Sequence, residues 1–349
     1  MTTPTLNLHS CFENEIRINQ SRNSALSLQE IQSTSEYAKL LNILKNKEKT
    51  ELHAHLGGAI STSFINSCCN TQDYDLLLEF ISNLRSGMDY TKAFEAFNMI
   101  GRILNSNQRI EEAAFDFCQN QYNDKVTFSE IRTGLKRLDG KGFEEYLTAV
   151  LRGLNRGMQE YPIHVNLILS LRRNSTIEDA NETIDLAIKY RDMGITGIDI
   201  SGESTKGDGS GIFEALQKAK NNGFSITLHI GENCNENPEQ QMKELTQIQP
   251  ERIGHAVFLC PEAYQWIEEK QIVVEACIRS ALSVSMINNP GDHPAFTLFK
   301  KGHPVVFCTD DSTLFGTLSE ELALVAYLCN LTIENVIEMQ KKALEYSFK

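Results

Sequence analysis

Short β-like runs return eight times along this chain, and most of the gaps between them are long enough for at least one helix. The runs are Glu51–Leu56, Val126–Arg132, His164–Leu171, Gly197–Ser201, Ser225–Ile230, Arg252–His255, Ile272–Ala276 and Pro304–Thr309. Strands alternating with helices argue for a parallel sheet. Eight such units predict an α/β fold, a (β/α)8 TIM barrel. An open doubly wound sheet is the structural alternative, but no G-x-G-x-x-G follows a strand, so a dinucleotide fingerprint is absent. The connection from Ser61 to Lys125 is helical and longer than one crossover needs. This helical insertion after strand 1 is expected to cap one mouth of the barrel. Residues 1–49 read as an N-terminal extension and residues 50–349 as the barrel. The extension opens polar and turns helical from Leu28 to Leu44, where Ile31, Leu40, Leu41 and Leu44 follow a broadly helical spacing. The stretch Lys218–Asn222 reads as a helix end, stopped by Gly223.

A chain of 349 residues can bury about 75% of the surface it exposes when unfolded, so its core needs no disulfide staples. The 41% hydrophobic and 23% charged fractions exclude a disordered or fibrous chain. The net charge of −13 excludes a general attraction to nucleic acid or anionic membrane. An anionic substrate would need a local basic cluster. Nine scattered cysteines without a CxxC pair fit reduced thiols in a cytosolic enzyme. The first residues lack a secretory pattern, and no apolar run approaches the roughly 18 residues of a membrane span. The expectation is a cytoplasmic monomer whose partner is a small molecule.

Side chains two apart in a strand point the same way. In Glu51-Leu52-His53-Ala54-His55, His53 and His55 therefore face one side near the strand's end. His229 and His255 end two further strands, Glu232 stands just beyond His229, and Asp310-Asp311 ends the last. All lie at C-terminal strand ends, the catalytic face of such a barrel. His164 and His303 fall at strand starts, His9 in the tail and His293 in a loop, so these read as structural. Two adjacent aspartates inside a barrel are costly unless a cation sits beside them. His53, His55, His229 and Asp310 offer three nitrogens and one oxygen, which suits one Zn²⁺ with a position left for water. Fe²⁺, Mn²⁺ or Co²⁺ could use the same donors. Such an ion would lower the pKa of bound water toward ~7. The fourth strand ends Asp199-Ile200-Ser201-Gly202, and no lysine or carboxylate follows to bridge a second ion until Glu203 and Lys206 in the loop, so one metal is favoured. His255 is then free to orient the attacking hydroxide.

These segments, ELHAHLGGAIS, GIDISG, TLHIGE, RIGHA and CTDDSTLFGTL, resemble the adenosine/AMP deaminase branch of the amidohydrolase superfamily. The resemblance runs from about Thr50 to about Leu331. EIRTGLKR and HVNLILSLRRN look most similar to the adenosine deaminase-like subgroup, which acts on N6-methyl-AMP and related mononucleotides. The resemblance implies zinc on His53, His55, His229 and Asp310, and Glu232 as the acid that protonates purine N1. It further implies His255 orienting the hydroxide, Asp311 contacting N7, the backbone of Gly202 meeting the purine, and Phe97 in a lid.

This sequence departs from the pattern twice. Gly57 stands where adenosine deaminases carry Asp and the AMP-type subgroup carries Asn, which removes a carboxylate that would repel a 5′-phosphate. The family's CxxSN reads Cys277-Ile278-Arg279-Ser280-Ala281. Arg132, Thr133, Lys136 and Arg137 follow the second predicted strand and could bind that phosphate. The leading reading is a purine mononucleotide deaminase. The alternatives are an adenosine deaminase, a non-catalytic purine-binding protein, and a metal hydrolase of amide or ester bonds.

Overall fold

The structure is a computed structural model and describes residues 26–349 apart from 204–206 and 208. His9, Lys206 and the first 25 residues of the extension lie outside the described residues. All eight predicted strands are present: β1 (Lys49–His55), β2 (Val126–Gly134), β3 (His164–Arg172), β4 (Ile195–Ser201), β5 (Ser225–Ile230), β6 (Arg252–His255), β7 (Val273–Ala276) and β8 (Val305–Phe307). They form one sheet in sequential order, each pair parallel. An isolated bridge between Ala54 and Asp310 joins its edges, with His55 N donating to Asp310 O and Asp310 N to His53 O, both at 2.9 Å. The seam thus closes between two site-bearing segments. Among the described residues no helix is long and apolar enough to cross a membrane.

Alternation along the strands divides their side chains. Ile198 and Ile200 in β4, and Ile226, Leu228 and Ile230 in β5, join the main apolar core. Asp199, Thr227 and His229, on the other parity, reach across the barrel to polar partners. Barrels of this type usually fill their interior with branched apolar layers. Here much of the interior is ionic. Arg132, Glu130, Asp199, Arg252 and Glu275 are all buried and joined by salt bridges.

The predicted helix over 28–44 is two helices, α1 (Leu28–Gln32) and α2 (Ser35–Leu44). They break at Ser33-Thr34 because Thr34 caps α2, its Oγ1 accepting from Tyr37 N. Ile31, Tyr37 and Leu44 are buried, so this segment packs onto the barrel. The boundary at residue 49/50 falls inside β1.

The long first connection folds into α3 (Thr62–Cys68), α4 (Thr71–Arg85), α5 (Tyr90–Ile103) and α6 (Asn107–Asn123). Ser61, Asn70, Asp89 and Ser106 cap their N-termini through side-chain oxygens. On α5, Ala93, Ala96, Ile100 and Ile103 make the buried stripe. Phe94 and Phe97 beside that stripe line the cavity at the mouth, as expected of a cap.

The opposite end of the barrel is closed by the C-terminal segment. Phe348 is 5% exposed, and its ring lies 3.7 Å from the Arg252 guanidinium. Arg252 Nη1 donates to Tyr346 O at 2.9 Å. Gly197 makes room, since a Cβ there would come within 2.4 Å of the Phe348 ring. Phe348→Ala is expected to lower unfolding stability by about 3 kcal/mol. Denaturant titration checks this, and a loss well under 1 kcal/mol would show that the ring does not seal the barrel floor.

Candidate active site

His53, His55, His229 and Asp310 converge. Each offers one ligand atom, and the four atoms lie within 4.8 Å of one another. His55 Nε2 is 3.1 Å from His229 Nε2 and 3.3 Å from Asp310 Oδ1. His53 Nε2 is 3.5 Å from that same oxygen and, though buried, makes no hydrogen bond among the described residues.

Two buried carboxylates aim these rings. His53 Nδ1 lies 2.6 Å from Glu275 Oε2, and His229 Nδ1 lies 2.8 Å from Asp199 Oδ1. Arg132 bridges both acids, Nη1 to Asp199 at 3.2 Å and Nη2 to Glu275 at 2.9 Å. Burial alone would raise these acids, but His229 and Arg132 hold Asp199 well below the carboxylate range. Arg132 and Arg252 do the same for Glu275. An ionised carboxylate only accepts, so each Nδ1 carries a proton, and in the neutral ring each Nε2 presents a lone pair. Lone pairs and a carboxylate oxygen aimed at one point form an arrangement that a divalent cation relieves. The residues therefore fit a metal.

The surrounding backbone is bent to serve this cluster. Asp310 (φ 63°) and His255 (φ 65°) adopt left-handed conformations rare outside glycine. Gly254 leaves space for His53, since a Cβ there would lie 2.8 Å from its ring. Glu51 accepts from His53 N at 2.8 Å and from Thr309 N and Oγ1 at 3.0 and 2.7 Å, holding β1 against the end of β8. Ser280 Oγ donates to Asp310 Oδ2 at 2.7 Å.

Next to the cluster, His255 Nε2 is 3.3 Å from Glu232 Oε1. Burial pushes Glu232 up to about 7 and His255 well below its ordinary value. Asp310 and Asp311 part company. Burial and the charge of Asp310 hold Asp311 well above the carboxylate range, whereas the histidines hold Asp310 well below it. A Cβ on Gly58 would lie 1.7 Å from Asp311 Oδ1, so only glycine fits there.

A cavity of about 660 Å³ opens over these groups, lined by Gly57, Gly202, Phe97, Glu232, Asp310 and Asp311 among others. A Cβ on Gly57 would meet nothing within 4 Å, so this wall is open. The expected phosphate cluster divides. Arg132 and Thr133 do not follow β2 but lie within it, because the strand runs on to Gly134. Arg132 is fully buried between acids and gives its remaining reach to Leu52 O at 2.8 Å, so it is not a free anion ligand. Thr133 Oγ1 shares a hydrogen bond with Tyr146 at 2.9 Å. Arg137 pairs with Asp179 and Glu182 and stacks on Phe143. Lys136 alone of the four lines the cavity with no side-chain partner among the described residues. Arg172, which the sequence reading missed, lines it likewise, beside Gly202.

A sequence model of the family described as adenosine deaminase matches residues 48–349. The chain belongs to the adenosine deaminase family. It is 29% identical over 334 residues to an N6-mAMP deaminase of Arabidopsis thaliana, covering 87% of this chain and 93% of that protein. It is 30% identical to an N6-methyl-AMP deaminase of Danio rerio, covering 86% and 90%. It is 29% identical to an adenosine deaminase of Clostridium botulinum, covering 87% and 94%. A crystal structure of the Arabidopsis N6-mAMP deaminase superposes with a TM-score of 0.82 at 30% identity, covering 88% of this chain and 95% of that one. Another Arabidopsis structure, complexed with GMP, gives a TM-score of 0.80 with 88% and 94% covered.

Asp199, Glu275, Glu51 and Ser280 are the residues that sequence reasoning left without a role. Their signal was an acidic or hydroxylic side chain on the inward parity of a strand, or beside a strand end. Asp199→Asn is expected to lower metal affinity about 10- to 100-fold. Competition against a chelator with metal analysis measures this, and unchanged affinity would remove Asp199 from the support of His229.

Proposed function

We propose that this chain is a zinc-dependent hydrolytic deaminase of purine mononucleotides, taking AMP or N6-methyl-AMP to IMP plus ammonia or methylamine. The observation that carries this reading is the convergence of three histidines and Asp310, beside the Glu232–His255 pair, in a cavity edged by Lys136 and Arg172, whose side chains have no ion-pair partner among the described residues. The names of the relatives and the GMP bound in one of them support a nucleotide substrate.

His53, His55, His229 and Asp310 would hold one Zn²⁺ per chain, and when bound it supplies a Lewis acid that makes water a nucleophile near neutral pH. The chain's own groups do the rest. Glu232, whose pKa is raised by burial, carries a proton on its carboxyl and gives it to purine N1, making C6 electrophilic. Neutral His255 orients the attacking water and accepts its proton at a ring nitrogen. Water adds at C6, the proton taken by His255 passes on to N6, the C6–N6 bond breaks and the amine leaves; the remaining hydroxyl proton returns to the Glu232 carboxylate as C6 becomes the carbonyl carbon of IMP. Asp311, raised by burial and Asp310, donates a hydrogen bond to N7. Gly202 meets the base through its backbone, and Phe97 covers it. The open wall at Gly57 admits the 5′ end, and Lys136 and Arg172 pair with the phosphate.

Adenosine deamination is the second reading, favoured by the bacterial adenosine deaminase relatives. Comparing kcat/KM for adenosine, AMP and N6-methyl-AMP separates the two. The mononucleotides are expected to lead by more than about tenfold, the factor one lost charge-assisted phosphate contact carries. Adenosine leading by that margin would overturn the mononucleotide assignment. Glu232→Gln is expected to keep wild-type metal content while kcat falls about 10²- to 10⁴-fold. A near-normal rate would take the proton-donor role away from Glu232.

A further inference from the structure

The carboxyl of Glu232 is poorly gripped for a group that must deliver a proton. Among the described residues its Oε2 is buried without a hydrogen-bond partner, and its Oε1 has only the 3.3 Å contact with His255. Its placement therefore depends on its backbone. That backbone lies in a short loop leaving β5, entered through Gly231 at φ 70°.

One side chain holds the loop. The carboxylate of Glu236 accepts three successive backbone N–H groups, Gly231 to Oε2 at 2.7 Å and Glu232 and Asn233 to Oε1 at 2.9 and 3.2 Å. Hydrogen bonds to an ionised acceptor are about twice as strong as neutral ones, and three from consecutive residues fix the turn's orientation as well as its position. A second link runs from Glu236 to the strand carrying His255. Buried Gln241 donates through Nε2 to Glu236 Oε2 at 3.1 Å and to Phe258 O at 2.8 Å, and accepts from Cys260 N at 2.8 Å. Phe258 and Cys260 follow β6. The chain after β6 in turn returns to Gly231, Val257 N and Phe258 N donating to its carbonyl at 3.1 and 2.9 Å. Glu236 thus sits where the loop bearing Glu232 and the segment following His255 are tied together.

We propose that Glu236 is a positioning residue for Glu232, setting the carboxyl of the proton donor against His255 by clasping the backbone on both sides of it. Glu236 is not itself a lining residue of the cavity, and among the described residues no hydrogen bond or ion pair joins it to the side chains of His53, His55, His229 or Asp310. This rests on Glu232 being the proton donor, as argued under the proposed function. Displacing a reacting group by about 1 Å costs on the order of 100-fold in rate.

A double-mutant cycle of Glu232→Gln and Glu236→Ala tests it, with Glu236→Gln as the milder variant that keeps one acceptor oxygen. Glu236→Ala is expected to lower kcat for AMP about 10- to 100-fold. Metal content, KM and calorimetric binding of IMP should stay near wild type, and Glu236→Gln should fall between. In the Glu232→Gln background the Glu236 substitutions should cost almost nothing further, because the group they position is already disabled. The same fold-loss in both backgrounds, or a loss carried by KM, IMP binding or metal content, overturns the proposal while leaving the proton donor in place. If Glu232→Gln itself retains near-normal turnover, the proton-donor reading fails first and this proposal fails with it. Should Glu236→Ala not fold, the cycle with Glu236→Gln decides the matter by the same outcomes.

Discussion

The site depends on a guanidinium buried in the middle of the barrel. Arg132 stands between Asp199 and Glu275, and each of those carboxylates holds a histidine of the candidate metal cluster. Without a nearby cation, two buried acids would protonate, and a protonated acid could donate to a histidine as well as accept from it. Arg132 keeps both as acceptors, so the proton stays on each Nδ1 and the lone pair faces the ligand point. Removing Arg132 would leave Asp199 a buried charge without its guanidinium, at a cost of about 3–5 kcal/mol, whereas Glu275 would keep Arg252. Two electrostatic roles therefore converge on a residue that is not among the candidate ligands itself.

The same network runs on to the barrel floor. Glu275 also takes Arg252 Nε at 2.7 Å and Thr227 Oγ1 at 2.9 Å, and Arg252 pairs with Glu130 and lies over Phe348. An apolar interior would pack as well, but would leave the histidine rings unaimed. The ionic stack is tolerated because almost every lone pair and N–H in it is used. Sealing by Phe348 matters for the same reason, since water at the floor would weaken the electrostatics that aim the rings.

The architecture was legible because helix-length segments separate strands of strong β pattern, and the eight runs reappear with ends shifted by at most a few residues. The convergence of His53, His55, His229 and Asp310 was legible because these residues lie at strand ends, where a barrel directs side chains to one mouth. What failed was the meaning of a position just before a strand end. Ending the second strand at Arg132 made that arginine and Thr133 free groups at the mouth, but β2 extends to Gly134, and its alternation turns Arg132 into the barrel between two acids and Thr133 toward Tyr146 on a surrounding helix. Asp199 was read only as part of the end of the fourth strand, without a role, when its partner is the far nitrogen of His229. Arg172 escaped notice because its neighbour Arg173 looks identical in sequence. Arg173 is buried against Glu244, and Arg172 turns to the cavity. Sequence adjacency in a strand cannot say which of two arginines faces which side until the register is known.

Asp310 and Asp311 show how one backbone torsion divides two identical side chains. Asp310 takes φ 63°, and its backbone N and O close the seam with β1 while its carboxylate turns to the histidines. That conformation costs on the order of 1–3 kcal/mol in a non-glycine residue. It persists because the seam hydrogen bonds, Ser280 and the histidine cluster all fix it together. Asp311 is then directed to the far side, against the space that Gly58 leaves, where the charge of its neighbour and its own burial favour the protonated form. In the proposed reaction, the carboxylate that would hold the cation and the carboxylic acid that would meet the base are consecutive residues, because strain at the first fixes the environment of the second. A relaxed β-strand would also send their side chains to opposite faces, but it could not bring both to the open mouth.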